Sequence, residues 1–592
     1  MEKYKVTFLP ENVQVEVASG ETIMMAAAEG GIEFEGPCGG RGICGKCKVE
    51  IIEGKNPGTV LACQTKISED LVVEIPRLKI YLSKEKALTE KDFTIDIVSG
   101  IEKICLQVES DSLENQTADE DRFLKALNKP AKLTLEALRS LPHSLRAENH
   151  LVTAIMAGEQ VLTIEGGNTL DKPLYGIAVD IGTTTVVANL VELTTGETKG
   201  VASGGNTQNI FGADVISRIQ YASKGAKELA QISGRVMQVL NRLIEGFVKE
   251  LKVNAEDIYQ GVIVCNTTMH HLFLGLDPKY LAPSPFTPVA RDLVSVKARD
   301  IGLGLHPEAL IHLLPNVAGY VGADTVGVIL STGIYHADKP ILAVDIGTNG
   351  EIALALAGKI YTCSTAAGPA FEGAQIEKGM RAQSGAIERV TIEQEGVRCQ
   401  VIGGTKAKGI CGSGLIDAVS EMARQGILEP SGRFAPPSNR EHLSGFLQGR
   451  MAGSGGTARF IIATAEETGG DEVYLTQKDV REVQLAKAAI RAGIQLLLND
   501  AGLSPGDLEE VLLAGAFGTY IDRNAALGLG LLPKVEVEKI KAVGNAAIAG
   551  AKMSLLNKEL RELSKKIAKK TDHLELSSRS DFQEAFLQFL NF

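Results

Sequence analysis

Alternation of apolar and polar residues opens the chain. KYKVTFLP and VQVEVAS each place every second side chain on one face, which predicts two strands. ETIMMAAAEGG switches to a short helical run closed by glycine, and KVEII and LVVEIP return to strand spacing. Residues 1–77 therefore read as a small β-rich unit. Residues 78–92, within RLKIYLSKEKALTEKD, are charged and barely alternate, which predicts a linker that lets the first unit swing. From 93 to 173, strand-like FTIDIVS, KICLQVE and QVLTIEGG mix with helical stretches at 120–127 and 135–141, predicting a compact α/β middle domain.

Beyond residue 174 the pattern becomes long and α/β. Two stretches resemble each other, YGIAVDIGTTTVVANLVEL and PILAVDIGTNGEIALALAG, and an internal duplication is the simplest reading. The clearest helix signal runs from Asp479 to Asp500: Asp479 and Glu482 stand at capping spacing, and Val483, Ala486, Ile490, Ile494 and Leu497 form an apolar stripe. Gly502 and Pro505 close it. NKELRELSKKIAKK also keeps its apolar residues on one stripe, so its lysines read as a solvated helix face rather than a membrane or nucleic-acid patch.

At 592 residues the chain exceeds what one hydrophobic core organises, and a multidomain α/β protein is expected. A net charge of −12 argues against nucleic acid as a partner, because binding along phosphates needs a surplus of Lys and Arg. No apolar run reaches the roughly 18 residues of a membrane span. The start, MEKYKVTFLPENV, has no apolar signal core, so a cytoplasmic protein with no membrane partner is expected. In a reducing compartment the nine cysteines read as ligands or small buried hydrophobes. Cys105, Cys265, Cys363, Cys399 and Cys411 are scattered and read as structural.

The other four cysteines carry chemistry. In CGGRGICGKC and LACQT, five residues separate Cys38 from Cys44, two separate Cys44 from Cys47, and fifteen lie between Cys47 and Cys63. This is a near variant of plant-type [2Fe-2S] spacing. Gly39, Gly40, Gly42 and Gly45 let backbone curl round a cluster and aim N–H groups at its sulfurs. A zinc ribbon would bring two C-x-x-C knuckles, and the chain has one. A [2Fe-2S] cluster held by Cys38, Cys44, Cys47 and Cys63 in a ferredoxin-like unit is the expectation. The same loop matches G-x-G-x-x-G and nearly matches a P-loop, but neither match sits between a strand and a helix, and Cys47 stands where a P-loop needs Ser or Thr. With no other dinucleotide fingerprint in the chain, the cluster is expected to take single electrons from an external low-potential donor.

In each VDIGT copy an apolar strand runs into Asp, a Gly-containing turn and a second apolar strand, a hairpin whose tip can hold phosphate. Asp180 and Asp345 are the expected catalytic carboxylates, holding Mg2+ through water. Gly182 and Gly347 allow a tight turn. The hydroxyls of Thr183, Thr184, Thr185 and Thr348, with the turn at Asn349 and Gly350, face phosphate oxygens. One such segment is an ordinary turn; two, about 165 residues apart, suggest facing hairpins that clamp one polyphosphate. His270 and His271 are sequence neighbours that share no face, so a core or surface role is favoured over a metal. Asn266 and Thr267 are weaker cleft candidates. Asp214 and Arg218 either reach the cleft or pair across a helix turn.

On these motifs the chain resembles the actin, sugar kinase and heat-shock chaperone ATPase superfamily, in which two hairpins from duplicated halves face ATP. VDIGTTT and VDIGTNG would be its two phosphate motifs. VLLAGAFGTYID resembles the adenosine motif and would bring Gly515 and Gly518 to the nucleotide, while KGICGSGLIDAV resembles the connecting segment, with Gly412 and Gly414 packing closely before a helix. Cluster unit, middle domain and ATPase in this order are similar to the reductive activators of corrinoid proteins over the whole chain. The resemblance implies a β-grasp ferredoxin-like domain, a small α/β domain and, over 174–592, a duplicated actin-like (ribonuclease H-like) ATPase domain with two subdomains. It also implies ATP as cofactor and a corrinoid (cobalamin-binding) protein as partner, whose inactive cobalt(II) is returned to cobalt(I) by one electron. A homodimer is compatible with this reading.

A plant-type cluster at about −400 mV is a marginal donor for that step. Every deficit of about 59 mV lowers the equilibrium constant tenfold, so a coupled exergonic step is expected, with cleft closure on Mg-ATP gating docking or release of the corrinoid protein. Two other readings stand beside it: a small-molecule, sugar-type kinase with a redox-sensing appendage and an acidic base, and a redox binding module in which nucleotide locks a conformation without turnover. The cysteine framework favours the first reading, since a kinase has no chemical use for a one-electron carrier.

Overall fold

The computed structural model describes residues 2–32, 36, 39–42, 45–76, 81–83, 95–373, 375–515, 518 and 520–592; Cys38, Cys44 and most of the expected linker lie outside these described residues. The alternating segments at the start build a five-stranded sheet in the order Val13–Ala18, Lys3–Leu9, Leu71–Glu74, Lys48–Glu53, Gly58–Leu61. Val6, Phe8, Val49 and Val73 are buried beneath the helix Ile23–Glu29, which contributes Ile23, Ala26 and Ala27. Thr22 caps that helix by accepting from the Met25 N–H, supplying one of the amides a helix start leaves unpaired. The strand Gly58–Leu61 carries no sequence signal because four residues are too few for alternation to register.

A four-stranded sheet follows, ordered Ile101–Gln107, Leu151–Ala157, Gln160–Gly166, Lys132–Leu133. Helices Asp119–Leu127 and Leu135–Ala147 cover it. The second helix runs past the expected end at 141 despite Pro142. Burial of Leu141, Ser144 and Leu145 against the sheet, with Ser144 Oγ donating to Ile164 O, offsets the cost of proline inside a helix. FTIDIVS, by contrast, forms no strand among the described residues apart from a single bridge from Val98 to Asn557. Leu151–Ala157 lies buried at five consecutive positions, which hides the period of two that would announce it.

The duplicated region folds as two sheets of the same design. In one, Ile258–Cys265, Tyr175–Ile181, Thr185–Glu192 and Thr198–Gly205 lie side by side; in the other, Glu510–Ala514, Ile341–Ile346, Gly350–Leu356 and Lys359–Thr365 repeat that order. In both, the first pair is parallel and the rest antiparallel. Tyr81–Ser83 adds an outer strand beside Thr198–Gly205. Between the sheets two helices, Ala323–Thr332 and Ala546–Leu556, cross at bare backbone: a Cβ on Gly550 would stand 2.2 Å from Gly327 O.

The strong helix near the end begins at Gln477 and runs to Asp500. Its capping box is Thr476 with Asp479 rather than Asp479 with Glu482: Thr476 accepts from the Asp479 N–H, and Asp479 accepts from the Thr476 N–H. The lysine-rich segment forms the helix Lys558–Lys570, which buries Arg561, Ser564, Ile567 and Ala568 on one side.

Candidate functional site

Both VDIGT segments are β-hairpins, and their tips meet. Residues 182–184 turn between Tyr175–Ile181 and Thr185–Glu192, closed by the Gly182 N–H donating to Thr185 O at 3.0 Å. Residues 347–349 turn in the same way, with the Gly347 N–H donating to Asn349 O at 3.0 Å. Thr184 Oγ1 lies 3.1 Å from Thr348 Oγ1, and Thr348 Oγ1 lies 2.6 Å from Glu372 Oε1. The Thr348 hydroxyl donates to the carboxylate, which leaves its oxygen to accept from Thr184. A Cβ at Gly182 would meet Thr185 O at 2.7 Å, whereas one at Gly347 would find nothing nearer than 3.7 Å. Close backbone approach requires glycine at the first position and not at the second.

Buried polar side chains hold the first tip from behind. Asn266 Nδ2 donates to Thr183 Oγ1 (3.0 Å), and Asn206 Nδ2 donates to Gly182 O (2.9 Å). Arg218, wholly buried, donates from Nη2 to Thr183 O (2.6 Å) and from Nε to Gly212 O (2.9 Å). It therefore neither enters the cleft nor pairs across its helix turn. Asp214 instead caps that helix, accepting from the Ser217 N–H.

A cavity of about 900 Å³ lies between the hairpins, within the size range of small-molecule sites. All the expected residues of the first hairpin line it, as do Asp345, Gly347, Thr348 and Asn349 of the second, together with Gly412 and Gly515. Gly515 has φ +88°, and a Cβ there would stand 2.6 Å from Asp345 Oδ1, so glycine lets the turn after Glu510–Ala514 close against that carboxylate. Gly350, Gly414 and Gly518 stand back from the cavity. A Cβ on each would strike, in turn, Ile490 Cγ1 at 2.6 Å, Ile387 O at 2.4 Å and Ala514 O at 2.4 Å, so their missing side chains serve packing.

Six carboxyl groups line the cleft: Asp180, Asp324, Asp345, Glu351, Glu372 and Glu388. Burial pushes Asp180 up to about 7, with the charge of Asp324 adding and a hydrogen bond from Asn545 Nδ2 (3.3 Å) opposing. Asp345 is pushed up to about 8 by burial and then by Asp180 and Asp324. Burial raises Asp324 to about 6 against hydrogen bonds from Thr325. Glu351 is raised by burial and by the charges of Asp324 and Asp345. Asp324, Glu351, Glu372 and Asn545 escape a motif search, although Glu351 follows the second VDIGT copy directly and Asp324 opens a helix after Gly322.

His270 and His271 are buried. His271 donates from Nδ1 to Thr267 O (2.7 Å) and accepts at Nε2 from the Val289 N–H (2.8 Å). Burial pushes His270 down to about 3, so it stays neutral in the core. Thr267 holds Ala318 O from behind the cleft.

In the first unit, Cys47 Sγ lies 3.2 Å from Cys63 Sγ, both nearly fully buried. Gln64 Nε2 donates to Gly40 O (3.1 Å) and stands 3.6 Å from Cys63 Sγ. Gly39, Gly40, Gly42 and Gly45 all have positive φ, the conformation that folds a loop inward and that side chains resist. Two converging thiols inside such a loop fit a thiolate-bound cluster; Cys38 and Cys44, the other expected ligands, lie outside the described residues.

Comparison with known proteins covers nearly all of the chain. Residues 6–68 match the 2Fe-2S iron-sulfur cluster binding domain, 90–171 the RACo linker region, 175–337 the RACo middle region, and 339–592 the C-terminal domain of RACo, the ASKHA domain. The corrinoid activation enzyme RamQ of Eubacterium limosum is 36% identical over 97% of this chain and 96% of its own length. The [Co(II) methylated amine-specific corrinoid protein] reductase of Methanosarcina barkeri is 28% identical over 71% of this chain and 77% of its own. A solved structure described as a reductive activator for corrinoid, iron-sulfur protein superposes with a TM-score of 0.77 at 35% identity, covering 100% of this chain and 98% of that one. A cluster-binding head, a duplicated hairpin cleft and end-to-end similarity to these activators place the chain in the family of reductive activators of corrinoid proteins.

Proposed function

We propose that the chain binds Mg-ATP between its two hairpins and uses it to drive delivery of one electron to the cobalt(II) of a corrinoid protein, giving cobalt(I). The activity is that of the family. The assignment of residues rests on one observation: two duplicated hairpins meet hydroxyl to hydroxyl at Thr184 and Thr348 over a cavity ringed by half-buried acids. Acids held above their ordinary range by burial and mutual repulsion are relieved by a divalent cation. Among the described residues, no three His, Cys, Asp or Glu side chains converge as direct metal ligands. Asp180 and Asp345 then reach Mg2+ through its water shell, as is common for this ion.

The two turns present N–H and hydroxyl donors to phosphate oxygens, and Arg218, Asn206 and Asn266 keep the first turn in shape. When bound, the [2Fe-2S] cluster supplies the electron at low potential. Cys47 and Cys63 hold it, with Cys38 and Cys44 completing the set, and Gln64 steadies the loop. An external low-potential donor, a cytoplasmic setting and a homodimeric assembly belong to the same proposal. No helix of the described residues is long and apolar enough to cross a membrane.

The test mixes anaerobically reconstituted protein, a cobalt(II) corrinoid protein and a reductant, and follows cobalt(I) absorption with and without Mg-ATP. Absorption should rise with nucleotide and fail to rise in Cys47→Ser. Equal rates with and without nucleotide would sink the assignment of the cleft. Phosphorylation of a sugar without any corrinoid would favour a kinase, but two relatives that span the chain are described as a corrinoid activation enzyme and a reductive activator.

A further inference from the structure

The iron–sulfur unit does not sit apart from the ATPase halves; it is seated on both. Its hydrophobic core runs without a break into the first half, from Phe8 and Ile23 to Ile210, Val239 and Phe247. Arg235, buried on the helix Ala226–Leu251, donates from Nη2 to Ala28 O (2.8 Å) and from Nη1 to Ile32 O (2.9 Å). These carbonyls lie in and just after the unit's own helix, and a guanidinium fork is well shaped to hold two of them. At the edge of the seat, Lys227 pairs with Glu29 at 3.2 Å.

The cluster loop itself touches both halves. On the first half, Gly39 packs so closely that a Cβ there would lie 2.8 Å from Ala213 N, and one on Gly36 would lie 3.3 Å from Ile210 Cγ2. On the second half, the Gln375 amide, oriented to satisfy both neighbours, accepts from Arg41 Nη2 (3.3 Å) and donates to Glu482 (3.0 Å). Gln375 follows closely on Glu372, the acceptor of the Thr348 hydroxyl. The segment that supports Gly39 is also the one Arg218 ties to the first hairpin, through Gly212 O on one side and Thr183 O on the other. Both walls of the cleft are thus joined to the cluster loop by short chains of contacts.

We propose that the iron–sulfur unit is a strap across the nucleotide cleft, latched by Arg235, with Arg218 as the positioning residue that carries hairpin movement to the seat, so that nucleotide binding unseats it. The proposal rests on the reading of the cleft as a nucleotide site. Relative movement of the halves pulls on the Gly39–Ala213 packing and on the Arg41–Gln375 contact at once, because one short loop carries both. The seated loop is also the one an electron partner must approach. By linkage, a nucleotide that loosens the seat is itself bound more tightly when the seat is already loose.

The experiment uses the full, cluster-loaded chain under anaerobic conditions with Mg2+ and a non-hydrolysable ATP analogue. It measures analogue affinity and hydrogen exchange over residues 28–32 and 210–218. In the wild type the analogue should speed exchange over 28–32 by about fivefold or more, the lower end of ordinary coupling. Arg235→Met, which lies outside the cleft, should show fast exchange without nucleotide and should bind the analogue more tightly by the same factor. Gln375→Ala, which removes the contact to Arg41 and does not line the cavity, should likewise show faster exchange over 28–32 without nucleotide and bind the analogue more tightly; should that variant fail to fold, Arg235→Met still decides. Analogue binding with unchanged exchange over 28–32 overturns the strap while leaving the cleft intact, as does a loosened Arg235→Met with unchanged affinity. No analogue binding at all overturns the cleft reading and the strap together.

Discussion

The side-chain oxygens of Thr184 and Thr348 stand 3.1 Å apart although 164 residues separate them in sequence. This one hydrogen bond joins the two halves at the point where a polyphosphate would lie, and Glu372 fixes its direction by accepting from Thr348.

Thr348→Val keeps the shape of the side chain and removes both bonds. It should weaken Mg-nucleotide binding about fivefold, the equivalent of one net hydrogen bond of about 1 kcal/mol, with little change in melting temperature. Titration calorimetry against an ATP analogue measures this. Unchanged affinity would show that the hydroxyl pair plays no part in holding nucleotide.

Asp345 carries the most strongly raised of the aspartates lining the cleft, about 8 against an ordinary value near 4. With a folded pKa above the unfolded one, the contribution of this group to stability is fully present at low pH and is lost as pH rises through about 8. Asp345→Asn removes that titration. Without Mg2+ and nucleotide, the variant should melt higher than the parent by the most above about pH 8, converge with it only below about pH 4, and lose the stabilisation the parent gains from Mg-ATP. Melting curves across that range would refute this if parent and variant ran parallel.

Gln64 stands with its amide nitrogen 3.6 Å from Cys63 Sγ and 3.1 Å from Gly40 O. Donors near a cluster sulfur favour the reduced state, whose charge is more negative. Gln64→Leu should lower the reduction potential by about 40 mV, which is about 1 kcal/mol for one electron. Redox titration followed by electron paramagnetic resonance reads the shift; a rise in potential contradicts the assignment.

Gly550→Ala should damage the fold from a position that does not itself line the cleft. Its new Cβ would lie 2.2 Å from Gly327 O, a backbone atom that cannot swing aside. Overpacking of this kind costs about 3 kcal/mol, seen as a lower melting temperature and poorer soluble yield. Gly275→Ala meets nothing within 4 Å yet has a φ of +66°, so its smaller loss would measure backbone strain alone.

The chemistry of this chain was more legible in its sequence than its geometry. Hairpin ends, duplicated motifs and cysteine spacing are local, and the Asp, Gly and Thr residues named in the two hairpins line one cavity, Gly350 excepted. Arg218 was visible but ambiguous, because a buried arginine that holds carbonyls and an exposed one that pairs with Asp214 have the same helical spacing. Asp324, Asn545 and Glu372 belong to no motif; each reaches the cleft from an element outside the two hairpins, Asp324 at the start of Ala323–Thr332, Glu372 in the turn Pro369–Glu372 and Asn545 as the cap of Ala546–Leu556. The seat of the iron–sulfur unit is likewise a long-range feature, with Arg235 some two hundred residues from the carbonyls it holds.

The crossing of Ala323–Thr332 over Ala546–Leu556 has a mechanical consequence. At Gly327 and Gly550 two backbones touch, and on either side of that point Val326 and Ile329 pack with Ala547 and Ala551 while Ser331 Oγ donates to Ala546 O. The bare contact leaves the helices no room to approach further and the packed side chains beside it resist sliding, so the crossing acts as a rigid seam between the halves.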